Sequence, residues 1–288
     1  MKKYDFAFSL GFSCGTTQAL RAAGLQFASY PLDWAGSPSV KASAEMVAAD
    51  FANWLEAEDL KLVDVRHGPG FFTRIYRNER TGFGFSHEFS DFERFAVTYP
   101  KVKAMYARRI ERFLERAGES KKILAVYMEL PFRKRIGDEA ICEARQILAG
   151  RFPQAEIDLV YVYEEPGCGV PCVKSEGEGV TVVAADYRKF DGKEITHFVE
   201  TGAIAKFLRE AYRVEDTRKD EDKEKFVAAM KVNHANRWGK GRMRRRINKM
   251  AYKLYRWLEG VLEKKGLVEH EGPLWFVDRA AEKEEGAQ

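Results

Sequence analysis

The 288-residue chain carries 48 Lys and Arg against 44 Asp and Glu, a formal net charge of +4, too mild to name a polyanionic partner by itself. An apolar fraction of 45%, with 20 Phe and 12 Tyr, excludes a disordered chain and supplies core for one large domain or two small ones. The longest mainly apolar stretch, Ile123 to Leu130 with Glu129 in it, suits a strand and falls far short of the roughly 20 residues of a spanning helix.

At the N-terminus, Lys2-Lys3 is followed by a short apolar stretch broken by Asp5. That is too short for a secretory h-region, so the segment is expected to be retained and the protein to be cytoplasmic. Cys14, Cys142, Cys168 and Cys172 are then expected to be reduced. Asp5 to Leu10 reads as a buried strand and Gly11-Phe12-Ser13 as a turn. Cys14 to Leu25 reads as a helix with Ala19, Leu20, Ala23 and Leu25 on one face and Gly24 near its end. Phe27 to Trp34 reads as extended around Pro31, and Ser39 to Leu55 as a helix.

Phe71 to Arg77 and Phe83 to Phe89 read as a hairpin joined by Asn78-Glu79-Arg80-Thr81-Gly82. Phe83, Phe85, His87 and Phe89 share parity and are expected on one face. A helix is expected from about Lys101 to Ala117, with Val102, Tyr106 and Phe113 in its inner stripe. Strands at Lys122 to Leu130, Glu156 to Tyr163 and Gly179 to Ala185 alternate with helices at Asp138 to Ala149 and Phe198 to Tyr212. This rhythm predicts an α/β fold, a central mixed sheet flanked by helices with partly parallel pairing. Residues 1–215 are expected to form a single α/β domain and residues 216–288 a basic helical extension. In that extension, Lys231 to Lys265 is rich in Lys and Arg against only Glu259 and Glu263, and Met250, Leu254, Trp257 and Val261 recur at helical spacing.

Cys14 is the residue with the most chemistry. It follows a strand and a glycine turn and opens a helix, where unpaired N–H groups and the helix dipole favour an anion. A thiolate is such an anion, and the same N–H groups suit the oxyanion of an acyl transfer. The competing reading is a cysteine buried as a small hydrophobe. His87, among aromatics on its strand, is the partner expected to form a thiolate–imidazolium pair; a core histidine bonded to a carbonyl is the alternative. Candidates to orient the imidazole are Asp33, in Tyr30-Pro31-Leu32-Asp33-Trp34, and Asp91, with Glu129 more distant.

Ser9-Leu10-Gly11-Phe12-Ser13-Cys14, Tyr30-Pro31-Leu32-Asp33-Trp34, Phe85-Ser86-His87-Glu88-Phe89 and Arg108-Arg109-Ile110-Glu111-Arg112-Phe113 occur in that order. Together they resemble a bacterial family described as papain-like cysteine peptidases, which shows Ser-Leu-Gly-x-x-Cys, Pro-Phe-Asp-Trp and Phe-x-His-Asp-Phe elements and a basic helix. The resemblance covers about the first 115 residues. It implies a papain-like N-terminal half, a cysteine nucleophile at Cys14 and a histidine base at His87. Leu32 and Glu88 depart from the pattern, and no glutamine of the papain oxyanion type shortly precedes Cys14, which argues against peptide substrates. An association of similar proteins with surface-polysaccharide genes implies a hydrolase or transferase acting on a cell-envelope precursor.

Two other readings are carried: a non-catalytic binding module of a glycan-assembly system, and a sugar transferase in which Cys14 is structural. Cys168 and Cys172 resemble half of a zinc site, but no second close Cys or His pair accompanies them, so no metal is expected. Walker and Gly-x-Gly-x-x-Gly motifs are missing, so no nucleotide cofactor is expected. For the basic Lys240–Lys265 region, a solvated face, an anionic membrane surface and nucleic acid are the options. The membrane is preferred to nucleic acid, which would make the protein peripheral at the inner membrane face.

Overall fold

The computed structural model describes residues 1–215 apart from 13, 69–70, 91–93, 131–132, 192–193 and 200, and beyond 215 only residues 250, 254, 257 and 261. The extension expected at 216–288 lies almost wholly outside the described residues. In chain order the elements begin with strands β1 (Lys2–Tyr4) and β2 (Phe6–Gly11), helix α1 (Cys14–Ala22), a 3-10 turn (Pro31–Asp33), β3 (Ala35–Gly36) and α2 (Val40–Ala48). β4 (Leu60–Gly68), β5 (Phe71–Asn78), β6 (Gly84–Ser90) and α3 (Phe95–Glu119) follow. The second half holds β7 (Lys122–Met128), α4 (Asp138–Arg151), β8 (Glu156–Glu164), β9 (Cys172–Gly177), β10 (Val180–Ala185), β11 (Arg188–Asp191), β12 (Glu194–Val199), α5 (Gly202–Ala211) and β13 (Tyr212–Val214).

The fold is α/β, as the strand–helix rhythm predicts. A five-stranded sheet of order β2-β7-β8-β10-β9 forms its centre. The first four strands are parallel, with Phe6 beside Ile123, Ile123 beside Ile157, and Val180 beside Leu159. β9 closes the edge antiparallel. The parallel strands are near-continuous apolar runs because both faces are covered. On one face Phe6, Phe8, Leu10, Ala125, Tyr127, Leu159 and Tyr161 meet residues of α2, α3 and α4. On the other, Ala7, Leu124, Val126, Val160 and Val162 meet Ala19 and Leu20 of α1, Ala23 just after it, and Ile204 and Leu208 of α5. α1 stops where Gly24 takes φ +74°, with Leu25 N–H bonding Leu20 O and Gly24 N–H bonding Arg21 O, the paired bonds of a Schellman cap.

A second sheet, of order β3-β6-β5-β4, takes β3 from before α2 and β4 to β6 from between α2 and α3. Its aromatic side joins Trp54, Phe83, Phe85 and Tyr106, with ring centroids 4.9 to 5.8 Å apart from Trp54. The helix expected over Ser39 to Leu55 ends at Ala48; Asp50, Phe51 and Asn53 adopt positive φ. The chain doubles back there to bury Phe51 and Trp54, and the Asn78 amide holds the carbonyls of Asn53 and Trp54. α3 begins earlier than expected and runs through Pro100, because Phe95 packs on Tyr76 and Phe89 at 5.0 and 5.8 Å. The helix expected over Phe198 to Tyr212 is shorter, Gly202–Ala211, with strands on either side. Among the described residues no helix is long and apolar enough to cross a membrane.

Candidate active site

Cys14 is half-buried and stands at the first position of α1, directly beyond the carboxyl end of β2. Gly11 makes the turn possible: its φ is +100°, and a Cβ there would lie 3.1 Å from Ser37 Cβ. Phe12 is stitched on both sides, its N–H donating to Met128 O and its carbonyl accepting from Ser37 N–H, each at 3.1 Å. The buried Thr16 hydroxyl donates back to Gly11 O. The first turn of α1 holds no acidic residue, so no carboxylate of its own offsets the positive end of the helix beside the sulfur.

Asp33 is fully buried and saturated with donors. Its Oδ2 accepts Tyr30 N–H at 2.9 Å, Gln26 Nε2 at 2.7 Å and Arg21 Nη2 at 3.1 Å. Burial raises its pKa above the ordinary carboxylate value, and Arg21 opposes that rise. Arg21 projects from α1 seven residues after Cys14, on the same helix face. Its guanidinium also bonds Ser29 Oγ at 2.9 Å and lies 5.4 Å over the Trp34 ring. The Trp34 ring in turn meets the His87 ring edge to face at 5.8 Å. Asp33, Arg21, Trp34 and His87 are thereby joined in one run of contacts that starts on the helix Cys14 opens.

His87 does not share the buried face of Phe83, Phe85 and Phe89, as its parity predicted; it is exposed while those three are buried. The reason is a bulge. Tyr76 pairs with Phe85 and Arg74 with Phe89, so Ile75 alone opposes Ser86, His87 and Glu88. Thr73 Oγ1 braces the bulge by donating to Phe89 O at 2.9 Å and Ser86 O at 3.2 Å. Extra residues of this kind re-aim side chains next to functional sites. The side chain sent inward is Glu88, 4% exposed, which accepts Tyr106 OH at 3.0 Å, lies 3.8 Å from Arg109 and accepts His87 N–H at 3.1 Å. Burial pushes the Glu88 pKa up against the pull of Arg109. Sequence reasoning discounted Glu88 because the resemblance expects aspartate there, and it missed Arg21 and Arg109. The i, i+7 relation of Cys14 and Arg21 on α1 is the one sequence signal that pointed to Arg21. Asp91 lies outside the described residues.

Glu129 directly follows β7. It is buried, accepting Leu130 N–H at 2.9 Å and Tyr161 OH at 3.1 Å, and burial raises its pKa. Arg133 stands 3.7 Å from it, donates to Pro38 O at 2.9 Å and covers the Phe12 ring at 5.6 Å. A polar wall thus adjoins the turn that carries Cys14. A surface groove lined by Lys2, Lys122, Glu156, Asp158 and Glu176 lies at the opposite, amino-terminal edge of the central sheet and includes none of these residues.

These features define an α/β protein with a thiol at a helix N-terminus on the carboxyl edge of a parallel sheet. Residues 5–145 match the model of the family described as "putative papain-like cysteine peptidase". The segment contains Cys14, Asp33 and His87. No curated protein and no solved structure matches the chain.

Proposed function

We propose that the protein is a thiol-dependent hydrolase or acyl transferase in which Cys14 is the nucleophile and His87 the general base. The observation that carries this reading is the Arg21–Trp34–His87 run, which ties the bulge of β6 to the helix opened by Cys14. The Cys14 sulfur gives its proton to the imidazole and attacks an acyl carbonyl. The N–H groups at the start of α1 receive the oxyanion. His87 returns the proton to the leaving group. Water or an acceptor hydroxyl, deprotonated by the same ring, then cleaves the thioester and restores the thiol. Asp33 acts as a positioning residue through Arg21 and Trp34.

The substrate in this reading is an acylated cell-envelope or polysaccharide precursor. The region Lys240–Lys265 would hold the protein at the anionic inner membrane face; Met250, Leu254 and Trp257 in it are exposed. Vesicle sedimentation at low and high salt checks that part.

The test of the site is the alkylation rate of Cys14 against pH, in the parent and in His87→Ala. A thiol whose pKa falls from about 8.5 by two units or more labels quickly at pH 6, and His87→Ala is expected to slow that labelling about a hundredfold. An ordinary thiol titration in the parent, unchanged in the variant, refutes the pair and leaves a binding module with a structural Cys14.

A further inference from the structure

A second thiol group lies at the same edge of the central sheet, in Glu165-Pro166-Gly167-Cys168-Gly169-Val170-Pro171-Cys172. The sequence lacks a second Cys or His pair to complete a zinc site with these cysteines, but the fold supplies a ligand of another kind. Cys168 and Cys172 have their sulfurs 3.7 Å apart. A tetrahedral ion with metal–sulfur bonds of about 2.3 Å sets its two sulfurs about 3.8 Å from each other. A carboxylate oxygen of Glu165 joins them, all three ligand atoms lying within 4.8 Å of one another.

The backbone fixes each ligand separately. Glu165 to Cys168 is a turn with Pro at its second position and Gly167 at φ +81° at its third, closed by Cys168 N–H to Glu165 O at 3.1 Å. Asp186 pins that turn: its Oδ2 accepts Gly167 N–H at 2.9 Å and its N–H donates to Cys168 O at 3.2 Å. Cys172 opens β9 and pairs with Ala184 of β10. Lys174 holds Glu165 Oε2 at 2.7 Å, which leaves Oε1 for an ion and makes the lysine an outer partner that orients the carboxylate. All three residues are half-buried, so solvent can deliver an ion.

We propose that Glu165, Cys168 and Cys172 form a three-ligand site for a zinc-class divalent ion, with the fourth position open to water or an exogenous ligand. Binding displaces the thiol protons into solvent. Because thiolate ligation releases protons, occupancy rises with pH. The site uses no atom of the Cys14 region and stands or falls separately from the catalytic reading.

The test titrates the full chain, reduced and freed of metal with a chelator, with Cd2+, following the thiolate-to-cadmium ultraviolet band, and then adds Zn2+. One equivalent of Cd2+ per chain, displaced by Zn2+ and bound more tightly as pH rises, is expected. The band is lost in Cys168→Ser and Cys172→Ser and kept in Cys14→Ser and Cys142→Ser. Glu165→Gln, which keeps both thiols and the turn, weakens Cd2+ at least tenfold. A band that survives in the double Cys168→Ser, Cys172→Ser variant overturns the proposal, as does one that vanishes in Cys14→Ser. So does a parent that, with both thiols shown reduced by mass, takes up no Cd2+ at micromolar concentration.

Discussion

Two thiol-bearing junctions sit on the carboxyl edge of the central sheet, and they are built oppositely. Cys14 follows β2 and opens a helix, with guanidinium and aromatic groups around that helix. Cys168 and Cys172 follow β8, two strands further along the sheet or about 10 Å, where the chain enters an edge strand. The first junction offers donors and a positive dipole, which favour a lone thiolate as nucleophile. The second offers another thiol and a carboxylate, which favour sharing a cation. The same residue type is assigned different chemistry by what the backbone does next.

The widest separation between the two junctions should come from Asp33→Ala. Asp33 is wholly buried, and Arg21 beside it has a side chain only 11% exposed. Removing the carboxylate strands the guanidinium and the donors of Tyr30 and Gln26. Loss of one partner of a buried pair costs roughly 3–5 kcal/mol, read as a lower midpoint in urea. In the protein that remains folded, Cys14 alkylation slows while Cd2+ uptake at the β8–β9 junction keeps its affinity. A loss under 1 kcal/mol with unchanged labelling would break the comparison, because the nucleophile side would then not be built on Asp33.

How far sequence reached follows the same physics. β2, α1, β7, α4 and β8 were legible because each buries a continuous run or a 3.6-residue stripe. β4 and β9 were not, because they are sheet edges and carry polar residues such as Lys61, Asp64, Lys174 and Glu176 where a buried strand would carry apolar ones. The place of Cys14 at the start of a helix was legible from Gly11 and the apolar stripe that follows. The outward turn of His87 and the burial of Glu88 were not, since a bulge resets parity without a glycine or proline to mark it. The Asp33–Arg21 pair needs the fold to bring a helix end against a later 3-10 turn. Glu165 as a third ligand was equally hidden, because a lone glutamate carries no ligand spacing.

A smaller effect is expected from Gly11→Ala, which touches only the first junction. At φ +100° an L side chain costs roughly 1–2 kcal/mol, and the new Cβ would press on Ser37 Cβ at 3.1 Å. Urea unfolding should show that loss. Labelling of Cys14 should also slow, because the turn sets the start of α1. Gly169→Ala on the second junction, where an added Cβ meets nothing within 4 Å, should leave both stability and labelling within experimental scatter. Equal losses in the two variants would mean that the Gly11 turn is no more constrained than an ordinary loop.

The smallest expected effect lies between the junctions, at Glu129, and it is a matter of pH. Burial raises the native pKa of this carboxyl above its unfolded value, so the native state holds the proton to higher pH than the unfolded chain does. The sign follows directly: as pH rises from the ordinary glutamate value of about 4.3 through the raised native one, ionising Glu129 subtracts stability, and above that window the subtraction is constant. Glu129→Gln keeps an acceptor for Leu130 N–H and presents Tyr161 with an amide that can donate to it, while losing only a partly exposed partner in Arg133 at 3.7 Å. The difference in unfolding free energy, variant minus parent, should therefore climb across that window and then level off. All other carboxylates are common to both proteins and cancel. A difference that stays flat, or falls as pH rises, would show that Glu129 is ionised and well served in the native wall beside Phe12, and that the rim joining the two thiol junctions is as accommodating to charge as water.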